Sequence, residues 1–412
     1  MPDTWPTAPV QHLPPTARVD ALDLARGIAV LGILVINMPG FAGPWPTVLN
    51  PDWNGQASRV DLVSFSLAWL FFEGKMRALF TILFGVGMAV FLQRRGMAAG
   101  RSAQLRRLAW LGVFGYLHFL VFWWGDILFL YAAAGMICLA FAGQPPARLI
   151  TLGALGIVAF TAYGLLAVGP MLLTVDAVHA GSASPEQLAW LNDYMRYLEA
   201  EIRTGLAEQM LGMADQIARR LAERPLYPVN ALHPASFETV PLMLMGMGLG
   251  KARFHAGGVS RPVMKAIVGV GIGTGLCWAA AQLVWLLAMD LPLAGSTLLP
   301  FYLGLPGRAA MAIGYLAAVV LWSQAMMQGV VGRALAAAGR MAFSNYLLCS
   351  IIMTFVLHGW GLGLAARDWS YAQLMGFVIA GWIVMLAWSQ PWLRRFGTGP
   401  LEWVWRQLVR LT

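Results

Sequence analysis

Charge is scarce in this 412-residue chain: 11% of the residues are charged and 59% are hydrophobic, against about 25% charged in ordinary soluble domains. That excludes a soluble globular fold. Several runs reach 18 or more apolar residues, the length that crosses about 30 Å of hydrocarbon. They exclude a β-barrel as well, whose strands alternate polar and apolar residues in short segments. Cysteine is almost lacking. Cys138, Cys277 and Cys349 all lie in apolar stretches, which predicts packing residues and neither a disulfide framework nor a metal site. The first 20 residues are proline-rich without an apolar core, so no cleavable signal peptide is expected and the first helix serves for insertion. No nucleophile elbow, zinc-ligand spacing, Walker motif or paired catalytic carboxylate occurs. No tightly bound cofactor or metal is therefore expected.

What is present points to an all-α polytopic membrane protein. The net charge is +9, but its basic residues gather in short loops between apolar runs. This is the positive-inside pattern of a bacterial inner-membrane protein and argues against nucleic-acid binding. Arg94, Arg95, Arg101, Arg106 and Arg107 mark one cytoplasmic loop, and Arg18 and Arg26 place the N-terminus on the same side. The chain then crosses an even number of times between them. Residues 60–72 are too few to cross; they read as an interfacial or re-entrant helix, which sets the Glu73-Gly74-Lys75-Met76-Arg77 turn at the outer surface. About ten spans follow: 24–41, 76–93, 107–124, 127–143, 149–173, 237–250, 266–289, 308–327, 342–359 and 372–390. Both termini are cytoplasmic.

Residues 176–234 hold 8 of the 19 acidic groups in a helical pattern and form an outer segment, expected as two helices ended by Pro225, Pro228 and Pro234. The chain divides accordingly into 1–175, an outer segment 176–235, and 236–412. The halves show no internal repeat. Glycines spaced two apart at 246–250 and 269–275 read as small-residue helix contacts, within one chain or in a homo-oligomer.

Polar groups inside spans need partners. Asn37, Glu73, Lys75, Arg77, His118, Asp126, Glu238, Arg308 and His358 converge on the outer half of this topology. His118 and Asp126 are eight residues apart, about 12 Å on a continuous helix, so contact requires a break at Trp123-Trp124-Gly125. His118 reads as a general base charged by Asp126, or as a packing histidine with Asp126 capping the next helix. Glu73, Lys75 and Arg77 read as interface anchors or as part of a cavity with Asn37, Glu238 and Arg308. His358, beside Trp360, reads as an aromatic-belt residue. At the inner face Asp23 and Arg26 form an i,i+3 pair or an anion site with Arg26 as donor. Asn345, Tyr346 and Ser350 make a polar stripe, suited to interhelical bonding or to the cavity.

A set of motifs runs through the chain. They begin with Arg18-Val19-Asp20-Ala21-Leu22-Asp23, Arg26-Gly27-Ile28-Ala29, Gly32-Ile33-Leu34 and Asn37, and continue in Phe72 to Phe80 and Leu83-Phe84-Gly85. His118, Trp124-Gly125-Asp126-Ile127-Leu128 and Tyr131 follow. Gly339-Arg340-Met341, Ser344-Asn345-Tyr346-Leu347, Ser350, Phe396, Gly399-Pro400-Leu401-Glu402-Trp403 and Trp405-Arg406 complete the set. Together they resemble the YeiB-like bacterial membrane proteins, which share the domain of unknown function 418. The opening Asp23, Arg26 and Gly27 is also similar to the Asp-x-x-Arg-Gly of acyltransferase-3 proteins and of heparan glucosaminide acetyltransferase. That resemblance implies transfer of an acyl group from cytosolic acetyl-coenzyme A, or another acyl thioester, to a small-molecule or glycan acceptor. The histidine that follows the first span in those relatives has no counterpart here, where Asn37 and Trp53-Asn54-Gly55 stand. His118 is the substitute base. The alternatives are a permease for a small polar or anionic solute and a lipid-binding or assembly protein.

Overall fold

In the computed structural model, which describes residues 15–412, the apolar runs become seventeen α-helices with no strand among the described residues. The stretch 1–14, on which the expectation about a signal peptide partly rests, lies outside them. The first five helices are α1 (Pro15–Ala42), α2 (Arg59–Phe71), α3 (Lys75–Arg95), α4 (Met97–Val121) and α5 (Leu128–Ala140). Next come α6 (Pro146–His179), α7 (Pro185–Gln209), α8 (Met213–Glu223), α9 (Tyr227–Asn230) and α10 (Leu232–Lys251). The remainder are α11 (Arg261–Ala288), α12 (Leu293–Leu303), α13 (Leu305–Gln328), α14 (Val330–Arg340), α15 (Ala342–Leu357), α16 (Tyr371–Phe396) and α17 (Pro400–Leu411).

Six segments are long and apolar enough to cross a membrane: Asp20–Ala42, Arg59–Arg95, α6, α11, α13 and α16. A seventh counts if α14 and α15, bent by 85°, form one broken span. The other expected crossings fall on α4, α5 and α10, which are shorter or carry charges such as Arg106, Arg107 and Glu238. The surface of the bundle is apolar: Val158, Leu166, Val270, Val284 and Ile383 are each more than half exposed. Such a surface belongs against lipid.

The expected interfacial helix at 60–72 is corrected. α2 and α3 run on as one 37-residue segment without a sharp bend. The outward stripe Val60, Val63, Leu67 and Phe71 suits lipid, so α2 belongs in the apolar layer. Glu73 is then ~21 Å along the helix from Arg59 and ~33 Å from Arg95. The Glu73–Arg77 turn therefore lies inside the bundle, away from its outer surface. Gly74 makes the break, with φ +66°, where a Cβ would also sit 1.9 Å from Arg308 Nε.

Local chemistry sets the ends. Ser58 and Asp61 form a capping box at the start of α2. Asp61 Oδ1 also accepts from Ala372 N at 2.8 Å, which ties α2 to the start of α16. One end of the bundle gathers Asp23, Arg107, Lys251, Arg340 and α17: Lys251 Nζ donates to Ala142 and Gln144 carbonyls, and Trp405 Nε1 donates to Arg107 O. The opposite end is covered by α7, α8 and α9, which meet the end of α1, of α4 and of α15 through Phe41, Phe119 and His358.

Candidate functional site

α4 ends at Val121 and α5 begins at Leu128, so the chain turns at the Trp123-Trp124-Gly125 break. The turn returns Asp126 to His118, with Nδ1 to Oδ1 at 2.9 Å. Both side chains are almost wholly enclosed, 1% and 2% exposed. Asp126 Oδ2 accepts from Phe129 N at 2.8 Å, so one carboxylate both caps α5 and orients the imidazole. A carboxylate at Nδ1 holds the proton there and presents the lone pair at Nε2. Nε2 is buried and has no partner among the described residues. Tyr346 lies against the ring, 5.5 Å between centroids, and its hydroxyl accepts from Ile127 N at 3.3 Å.

The second cluster is ionic and spans three helices. Arg77 Nε and Nη2 donate to Glu238 Oε1 and Oε2, each at 3.0 Å. Arg308 Nη1 donates to Glu238 Oε2 at 3.1 Å, while its Nη2 and Nε donate to Glu73 at 2.7 and 3.3 Å. Glu73, Lys75, Glu238 and Arg308 are all buried. Lys75 Nζ donates to Trp69 O at 2.5 Å, and the group carries three cations against two carboxylates. The expectation that Glu73, Lys75 and Arg77 anchor the chain at a membrane surface is overturned. The partners of Arg77 and Glu73 are 161 and 235 residues away, beyond any local reading, and Lys75 turns back to Trp69.

Between the clusters and the basic end, α3 presents Arg77, Phe80, Phe84, Gly87 and Phe91, all half-buried. The stripe faces inward: Phe80 and Phe84 pack on Tyr131 at 6.0 and 5.5 Å, and Phe91 lies under the Arg107 guanidinium at 4.4 Å. A Cβ at Gly87 would meet only Arg26 Nη2, at 3.4 Å. This stripe runs from Arg77 (34% exposed) toward Arg26 (32% exposed). Arg26 is held by Asp23 at 3.0 Å. Asn37 is half-buried on α1.

Asn345 and Ser350 are bonding residues of the bundle. Asn345 Nδ2 donates to Ala338 O and Ser389 Oγ, its Oδ1 accepts from Trp388 Nε1, and Ser350 Oγ donates to Tyr346 O. His358 is no belt residue: it is buried, between Phe41 O (3.2 Å) and Gln216 Nε2 (3.4 Å). Of the cysteines, Cys138 packs inside, whereas Cys277 is exposed. Sequence reasoning missed Glu402, whose carboxylate accepts from Phe343 N, Ser344 N and Ser344 Oγ at the start of α15. A negative group there complements the helix terminus. Its place in the Gly399–Trp403 motif was the available signal.

The description "Protein of unknown function (DUF418)" matches residues 249–412. The chain is 31% identical to the uncharacterized protein YeiB of Escherichia coli over 395 residues, 94% of this chain and 95% of YeiB. It is 28% identical to the uncharacterized protein YxaH of Bacillus subtilis, over 96% of this chain and 95% of that one. No solved structure matches it significantly. With agreement of this extent along nearly its whole length, the chain belongs to the YeiB-like DUF418 family.

Proposed function

We propose that this protein is a membrane-embedded acyltransferase, moving an acyl group from a cytosolic thioester of the acetyl-coenzyme A class to a hydroxyl or amine of a polar acceptor. The observation that carries the reading is the enclosed His118–Asp126 pair with Nε2 left unpartnered. Nε2 takes the acceptor's proton as its oxygen or nitrogen attacks the thioester carbonyl. The new bond to carbon forms, the carbon–sulfur bond breaks, and the departing thiolate recovers the proton from the imidazolium. Asp126 stabilises that imidazolium and holds the ring in one tautomer. The donor's phosphates would meet Arg26 and Arg107 at the basic end, and its acyl chain the half-buried stripe of Phe80, Phe84 and Phe91. The Asp23-x-x-Arg26-Gly27 opening supports the same assignment by resemblance. The topology that goes with it has about ten spans in the bacterial inner membrane, with both termini cytoplasmic.

Acetyl-coenzyme A at millimolar concentration should raise the melting temperature of the purified protein. His118→Ala should abolish turnover while leaving that stabilisation in place. A carrier for a small anionic solute is the second reading, favoured by the surplus cation in the Lys75, Arg77 and Arg308 cluster. Absence of any thermal shift, together with solute-dependent proton flux in liposomes, would reverse the order.

A further inference from the structure

A helix that stops leaves its last carbonyls in need of partners from elsewhere. In α4 that stop decides whether His118 meets Asp126. Continued by one turn, α4 would pair Phe119 O with Trp123 N and Leu120 O with Trp124 N, and Asp126 would stand about 12 Å from His118. Instead Trp123 N donates to His118 O at 3.1 Å. The two carbonyls are taken by Arg220 of α8, whose Nη1 donates to Phe119 O at 2.8 Å and to Leu120 O at 3.3 Å. Phe119 and Leu120 are the two residues that follow His118 in the chain.

Arg220 lies 100 residues beyond Leu120 and is only 3% exposed. Its Nε donates to Glu208 Oε1 at 2.7 Å, near the end of α7, which compensates the buried cation. The partial negative charge at the end of α4 favours a cation there, and the planar guanidinium serves carboxylate and carbonyls at once. A second tie joins the same elements: Tyr116 Oη donates to Pro225 O at 3.1 Å. That bond uses none of the terminal carbonyls of α4.

We infer that Arg220 is a positioning residue for His118 and Asp126: by taking the last carbonyls of α4 it ends the helix where the chain must turn, and so sets the carboxylate against Nδ1. The α7–α8 segment thereby takes part in building the site. That the pair so held performs acyl transfer rests on the function proposed above; its geometry does not.

The test reads the imidazole itself. The full chain, carrying isotope-labelled histidine, is studied by nitrogen NMR in lipid nanodiscs, and the His118 signals are identified by their loss in His118→Ala. The parent should show one tautomer, protonated at Nδ1 and bare at Nε2. Arg220→Met combined with Glu208→Gln removes the cation without stranding its carboxylate; it should lose the single tautomer while keeping its helix content. Should this pair not fold, Arg220→Lys is read in its place, since an ammonium lacks the planar fork and should also give mixed tautomers. Tyr116→Phe, which cuts only the second tie, should keep the parent spectrum. A parent without the Nδ1-protonated form, a single tautomer retained in the Arg220 variant, or equal mixing in Tyr116→Phe would overturn the inference. Mixing confined to the Arg220 variants, with no acyl transfer by the parent, would leave the positioning role standing and remove only the proposed reaction.

Discussion

His358 shows how far a single residue can depart from its local sequence context. Beside Trp360 it looks like a membrane-surface group, yet it sits beyond the end of α15 and under α8. Burial pushes its pKa down to about 4, and the nearby Arg220 adds to the effect. The ring is therefore neutral: Nε2 donates to Phe41 O and Nδ1 accepts from Gln216 Nε2. The unfolded chain takes up a proton near pH 6.5, the folded chain only near 4. Stability from this group is then complete above pH 6.5, falls as the pH drops toward 4, and is level below. A shift of this size corresponds to about 3 kcal/mol. Melting temperature followed from pH 7.5 to 4 should fall through that window, and His358→Gln should flatten the fall. An unchanged slope in the variant would show that other groups carry the acid sensitivity.

The elements divide by how local their causes are. Capping boxes such as Ser184 with Gln187 and Ser370 with Gln373 announce α7 and α16. The 176–234 stretch was legible as helices from its charge pattern, though it holds the short α9 as a third helix after α7 and α8. The His118–Asp126 contact was legible conditionally, because Trp123-Trp124-Gly125 marks the required break. The α2–α3 segment was not. A triple charge in an apolar run looks like a surface until its counter-ions are found, and Glu238 and Arg308 come from distant helices. Glu238 and Arg308 were identifiable as polar groups in need of partners; their meeting was a tertiary fact. Arg308→Met should destabilise the bundle by about 3–5 kcal/mol, because Glu73 loses its charged partner and Glu238 one of two. Adding Glu73→Gln should restore part of the loss by removing the unpaired charge. Thermal melts of the single and double variants check this; a single variant as stable as the parent would exclude a structural role for the network.

At the scale of the whole molecule, charge is sorted between the two ends, while Lys75, Arg77 and Arg308 gather inside around Glu73 and Glu238. Arg94, Arg101, Arg333 and Arg395 are exposed, together with the basic α17. The other end carries the acidic α7, whose Glu201 accepts from both Trp45 and Arg224. A positive-inside bias counts exposed basic residues near span ends, and buried charges held by ion pairs stand outside that count. α1 and the joined α2–α3 are two candidate crossings before the Arg94–Arg107 loop, the even number that the sequence argument requires, although that argument placed the turn at the surface and the side chains of Glu73 and Lys75 are buried. Cysteine labelling in spheroplasts tests the arrangement, with exposed Cys277 first replaced by Ser. Asn54→Cys should react with a membrane-impermeant maleimide from outside, and Arg333→Cys only after permeabilisation. Lys75→Cys should resist the reagent from both sides, because position 75 is enclosed by Trp69 and its neighbours. Ready labelling at 75 from outside would return the turn to the membrane surface, and the buried network would be lost with it.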